Sequence, residues 1–185
     1  RQRQMCIRDS CELFQKDNQQ KYFSEKNSDF LEETGIVKIM KYNDEYLRPC
    51  MLMNSKYDMV FSSDGCETPF RYEVNYRNFF MVTEGRVHIK LAPPSSTKYL
   101  HRKYDYENFE FRSPIHPWNV QPEFSLDFQK IKCLEVVVPK GKTIYIPAYW
   151  WYSMKMEKDT MIAGFRYRTY MNNVAITPVS YTHLT

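Results

Sequence analysis

The chain has 185 residues, 43% of them hydrophobic and 16% aromatic, and carries a formal charge of +4 at pH 7. That length suits one domain with its own core, and a small basic excess spread along the chain excludes a nucleic-acid binder built on a cationic stripe. No apolar run reaches the roughly 20 residues that a membrane helix requires, so the expectation is a cytoplasmic, intracellular protein with no membrane and no nucleic-acid partner.

In chain order the first segment, residues 1–10, is set aside. Its "MCIRD" can be written in codons whose reverse complement reads "VSYTH", the residues Val179 to His183. Both ends, 1–10 and 179–185, therefore read as adapter-like scars of one inverted DNA element. Without residues 1–10, which hold three Arg and one Asp, the formal charge falls to +2.

Residues 11–35, "CELFQKDNQQKYFSEKNSDFLEETG", form a polar helical preface in which Ser28 is expected to cap a short helix that Gly35 stops. Residues 36–178 change character. The runs "IVKIM", "YLRPCMLM", "YDMVF", "RNFFMV", "RVHIKLA", "CLEVVV", "TIYIP", "YWWYSMKM" and "TMIAGFRYRTY" are short and rich in β-branched and aromatic residues, which predicts a mostly β domain.

Gly85 and Gly141 fall between such runs and read as hairpin turns, where positive φ is needed. Between "RVHIKLA" and "CLEVVV" lies a long proline-containing insertion without glycine, expected as a loop anchored by Trp118 and Phe124 that covers a mouth or carries recognition. In the last run, "FRYRTY" alternates Arg with aromatic residues; it reads as a strand with one solvated cationic face, an anion site being the sharper alternative. Cys11, Cys50, Cys66 and Cys133 show no C-x-x-C spacing and are expected as buried reduced thiols.

The stretch "KTIYIPAYWWYSMKM" spends Trp150, Trp151 and Tyr152 at one spot after a strand and a proline. Taken with "TPFRYEVNYRNFFMVTEGRVHIKLAPP" and "SPIHPWNVQPEF" in the same order, it resembles the JmjC-type cupins, and within them the asparaginyl hydroxylases of the hypoxia-inducible transcription factor. Large DNA viruses encode similar cupin-like proteins. The resemblance implies a double-stranded β-helix, the cupin or jelly-roll barrel, here behind a short N-terminal helical preface. It also implies Fe(II) held by two His and one carboxylate, with 2-oxoglutarate as co-substrate, because that facial triad leaves open positions on iron.

Position by position the implied chemistry is missing. Aligning "TPFRYE" on the family's T-P-x-H-x-D places Arg71 at the first His and Glu73 at the acid; a one-residue shift would place Tyr72 and Val74 there instead. Tyr152 stands at the second His, and Val87 at the lysine that would bind 2-oxoglutarate. Arginine offers a metal no lone pair. The expectation is that Arg71 carries its charge into the old cation site, pairs with Glu73 and meets the Tyr152 hydroxyl.

The sequence thus predicts a degenerate JmjC-like cupin that binds an unknown small molecule or protein through Arg71, Tyr72, Glu73, His88, Trp150 and Tyr152, with no catalytic residue, metal ligand or cofactor. The alternative is a 2-oxoglutarate- and Fe(II)-dependent protein hydroxylase with non-standard site residues.

Overall fold

The computed structural model describes residues 23–74, 77–105, 110–172 and 174. Both adapter-like ends, Cys11 and the first part of the helical preface lie outside the described residues. The elements are β1 (Phe23–Ser24), α1 (Ser28–Glu33), α2 (Ile36–Asn43), β2 (Leu52–Ser62), β3 (Arg71–Tyr72), β4 (Arg77–Glu84) and β5 (Arg86–Ala92), then β6 (Lys103–Asp105), β7 (Glu110–Arg112), α3 (Ser125–Phe128), β8 (Leu134–Pro139), β9 (Thr143–Ile146), β10 (Trp151–Met156) and β11 (Thr160–Thr169). Two antiparallel sheets result, ordered β1-β2-β11-β4-β9 and β6-β7-β3-β10-β5-β8. This is the mostly β, jelly-roll architecture expected.

Alternation along each strand decides what lies between the sheets. Val60, Phe80, Val82, Ile162 and Ile146 from the first sheet meet Val87, Ile89, Leu91, Val138, Met154 and Met156 from the second. The outer face of the first sheet carries Tyr57, Ala163, Phe165 and Tyr167, and α1 and α2 cover it with Leu31, Val37 and Met40. The insertion covers the outer face of the second sheet, burying Phe70, Tyr72 and Trp151 with Leu100, Ile115 and Ile131.

Several local expectations are corrected. "IVKIM" is helix α2, not a strand: Val37 and Met40 are spaced three apart and both buried, which is one face of a helix lying on the sheet. Ser28 is the first residue of α1 and not its cap. Asn27 precedes the helix and spends its side chain on β2, donating to the Met59 carbonyl at 2.6 Å and accepting from the Met59 N–H at 3.1 Å. Gly35 does stop α1, at φ +78°. The insertion contains the paired strands β6 and β7, which extend the second sheet. Trp118 anchors it as expected, donating its indole N–H to the Ser153 hydroxyl at 2.8 Å. Of the described cysteines only Cys66 is buried; Cys50 and Cys133 are exposed.

Gly85 and Gly141 have the positive φ foreseen, +74° and +79°, but the strands they join are not paired with each other. β4 and β5 lie in different sheets, as do β8 and β9, so both turns are corners where the chain crosses the sandwich. A Cβ on Gly85 would come within 2.8 Å of the Thr160 backbone, whereas one on Gly141 would meet nothing. Gly85→Ala is therefore expected to lower the unfolding free energy in urea by clearly more than about 1 kcal/mol, and Gly141→Ala by about 1 kcal/mol, since only the first adds a clash to the backbone strain.

Candidate functional site

Four strands run from apolar to polar towards one end of the space between the sheets. Register makes Val60, Asp58 and Lys56 of β2 lie opposite Ile162, Gly164 and Arg166 of β11, and these opposite Val82, Phe80 and Asn78 of β4. On the facing sheet β10 passes from Met156 through Met154 to Tyr152, which is paired with both Leu91 and Arg71. The polar end is the mouth of the barrel.

Because Arg71 and Tyr152 are direct partners, they share the inward face, and Glu73, two residues beyond Arg71, comes to the same place. The Tyr152 hydroxyl lies 3.4 Å from Glu73 Oε1. Tyr72 is turned the other way, stacked on Phe111 at 4.8 Å and edge-on to Trp151 at 4.6 Å, with its hydroxyl 3.3 Å from Arg102. Val74 packs against that same outer cluster. Arg71 and Glu73 therefore face the space between the sheets, and Tyr72 and Val74 face away from it.

The aromatic triplet divides among three environments. Trp150 packs against the core between the sheets, Trp151 is buried under the insertion with its indole N–H donated to Thr97 at 2.9 Å, and Tyr152 enters the mouth. His88 sits apart, half-buried on the outer face, with Nε2 2.8 Å from Glu157. His101 lies 3.0 Å from Asp127 on the surface, and His116 is exposed.

The expected Arg71–Glu73 pair is replaced by a longer chain of charges. Arg71 is 3% exposed. Its Nη1 lies 2.6 and 2.8 Å from the two oxygens of Glu25 and 3.8 Å from Glu110, while its guanidinium faces the Tyr152 ring at 5.5 Å. Glu110 is also held by Arg112 at 2.6 Å and by Lys26 at 3.5 Å. Glu73 pairs instead with Arg166 at 3.3 Å, and Arg166 reaches Asp58 at 3.8 Å. Asp58 in turn accepts the backbone N–H groups of Lys26 and Asn27 at 2.9 and 3.1 Å. The cationic face of "FRYRTY" is thus not solvated at Arg166, which is buried between the sheets because α1 and α2 cover the aromatic face.

Burial opposes charge on Arg71, but Tyr152, Glu25 and Glu110 outweigh it and hold the guanidinium firmly protonated. Burial raises the Tyr152 phenol above its ordinary value; Arg71 pulls it back and Glu73 adds to the rise. Tyr152 is therefore a neutral donor to Glu73. Arg166, likewise desolvated, has its pKa raised by Glu73, Tyr152 and Asp58.

A facial iron site needs three converging lone pairs. Here the three positions hold a guanidinium without one, a protonated phenol, and a carboxylate already shared by Tyr152 and Arg166. Among the described residues no group of three His, Cys, Asp or Glu is placed to hold a metal ion. The residues present do not fit the iron that the resemblance implies.

Glu25, Glu110, Asp58 and Arg166 complete the site and were not singled out as site residues from the sequence. Arg71 Nε, Arg166 Nε and Asn78 Oδ1 are buried there without a hydrogen-bond partner.

Two antiparallel sheets closing on an inward-facing polar mouth define a jelly-roll barrel with a site at one end. The chain belongs to the cupin-like domain family, whose sequence pattern matches residues 1–173. It is also similar to two solved structures of oxalate oxidase, one addressing its mechanism and one in complex with the substrate analogue glycolate. Each shows 15% identity and a TM-score of 0.39 over 62% of this chain, which spans 42% of the oxalate oxidase chain.

Proposed function

We propose that this chain is a binding module of the cupin-like family, derived from JmjC-type oxygenases and nearest in motif order to the asparaginyl hydroxylases, in which the barrel mouth binds a small molecule or a protein partner without oxygenase chemistry. One observation carries the reading: a buried arginine, locked by Glu25 and Glu110, stands where the family motif has its first imidazole. Buried charge held this way is costly to displace, so the mouth is a built ion-pair network rather than a loosened metal site. The orphaned polar atoms of Arg71, Arg166 and Asn78 add support, since buried groups without partners are expensive and are satisfied by water or a polar ligand. Free thiols at Cys50 and Cys133 suit an intracellular setting. Among the described residues no helix is long and apolar enough to cross a membrane.

The test is incubation of the purified protein with Fe(II), ascorbate and 2-oxoglutarate. The expected result is no succinate above a Glu73→Ala control and no iron retained after desalting. Succinate formation that depends on Glu73, or iron retained one to one, establishes the hydroxylase reading instead.

A further inference from the structure

A strap from the helical preface lies across the mouth. Between β1 and α1 the residues Glu25, Lys26 and Asn27 reach both sheets. On the first sheet, the Lys26 and Asn27 backbone N–H groups donate to Asp58 of β2 at 2.9 and 3.1 Å, and the Asn27 side chain exchanges two hydrogen bonds with the Met59 backbone. On the second, Glu25 meets Arg71 of β3 at 2.6 and 2.8 Å, and Lys26 Nζ stands 3.5 Å from Glu110 of β7. Beneath the strap Arg71, Asp58 and Glu73 are buried.

Two features mark the strap as a removable occupant rather than a fixed wall of the barrel. Lys26 holds φ +59°, the left-handed region that a residue other than glycine occupies under strain. The pairing with Arg71 is also incomplete. Both Glu25 oxygens lie against the single nitrogen Nη1, Oε2 makes no hydrogen bond, and the buried Arg71 Nε–H has no acceptor. A carboxylate seated on an arginine fork takes two parallel N–H groups, so Glu25 fills the place without the best geometry for it.

The strap enters as a bound peptide does. Phe23 and Ser24 add to the edge of β2 opposite Ser62 and Phe61, and Phe23 packs against the core between the sheets before Glu25 turns to Arg71. An added strand with anchoring side chains is a recurring way to recognise an extended peptide. We propose that residues 23–27 are an internal occupant that closes the mouth, and that the partner which displaces them is a protein offering an extended acidic segment, with an aromatic residue two places before a glutamate. This rests on the binding-module reading and names its partner. With the strap displaced, Arg71 keeps Glu110 at 3.8 Å, and the incoming carboxylate replaces the charge that Glu25 takes away.

The probe is a synthetic peptide of residues 23–29, FSEKNSD, blocked at both ends and labelled, beside the same peptide with glutamine in place of its glutamate. Each is titrated by fluorescence anisotropy into the full chain, into Asn27→Ala, which frees the strap from Met59, and into Glu25→Gln, which loosens it from Arg71. Urea unfolding of each protein sets its folded fraction, so that affinities are compared per folded molecule. The glutamate peptide is expected to bind both variants saturably and at least about tenfold more tightly than it binds the parent, and the glutamine peptide to bind them at least about tenfold more weakly than the glutamate peptide. Equal affinity for parent and variants overturns the strap as an occupant. Equal affinity of the two peptides overturns recognition of the carboxylate, and no saturable binding to either variant overturns the proposal as a whole. The 2-oxoglutarate assay separates the two failures. Turnover with the peptide still bound overturns the binding-module reading alone, whereas absent binding with absent turnover overturns the strap proposal alone.

Discussion

Arg71→Ala is expected to destabilise the fold by about 3–5 kcal/mol, the range for removing one partner of a buried ion pair. The size follows from what is left behind. Glu110 is 1% exposed and keeps Arg112 and Lys26, but the Glu25 carboxylate loses the guanidinium that both its oxygens meet. Tyr152 loses the cation facing its ring. Because the cost is mostly that of stranded charge, Glu25→Gln added to Arg71→Ala should recover part of it, so that the double variant is less destabilised than the sum of the singles. Urea unfolding of the four proteins measures this directly. An Arg71→Ala variant within about 0.5 kcal/mol of the parent, the range ordinary for a surface change, contradicts the network.

What was legible in the sequence was whatever depends on spacing within one element. Arg71 and Glu73 are two residues apart, so a strand puts them on one face, and the motif order brings Tyr152 to that same face. Their partners were not legible. Glu25 comes from the polar preface, Glu110 from the insertion, and Arg166 from the last strand; nothing local to those segments distinguishes a buried charge from a solvated one. Arg166 had one usable clue. Phe165 and Tyr167 form an apolar face that helices could cover, which leaves the arginine face to turn inward. "IVKIM" failed for the opposite reason, since five apolar-rich residues fit either a strand or one helix face and only the continuation to Asn43 decides. Gly85 and Gly141 announced turns correctly, but a positive-φ glycine reports chain reversal and not whether the flanking strands pair, and in a jelly roll they do not.

The buried Asp44 connects this architecture to the site, and its removal is the second large effect expected. Asp44 follows α2 and is fully buried; it accepts the Tyr57 hydroxyl at 2.6 Å and the Tyr167 hydroxyl at 2.7 Å and is also held by Arg48. It thereby pins the end of α2 to β2 and β11 from outside the barrel. Asp44→Ala strands two buried phenols at about 1–3 kcal/mol each, so a total loss of about 3 kcal/mol or more is expected. The pH dependence has a definite sign. Burial works to raise the Asp44 pKa, but the bonds from Tyr57, Tyr167 and Arg48 outweigh it and the net shift is downward. A carboxyl that binds its proton more weakly when folded contributes its full stabilisation above the unfolded value of about 3.9, and that contribution is lost as pH falls through the lower folded value. Unfolding free energies measured from pH 6 down to pH 2 should therefore fall less steeply for Asp44→Ala than for the parent; parallel acid limbs contradict the assignment.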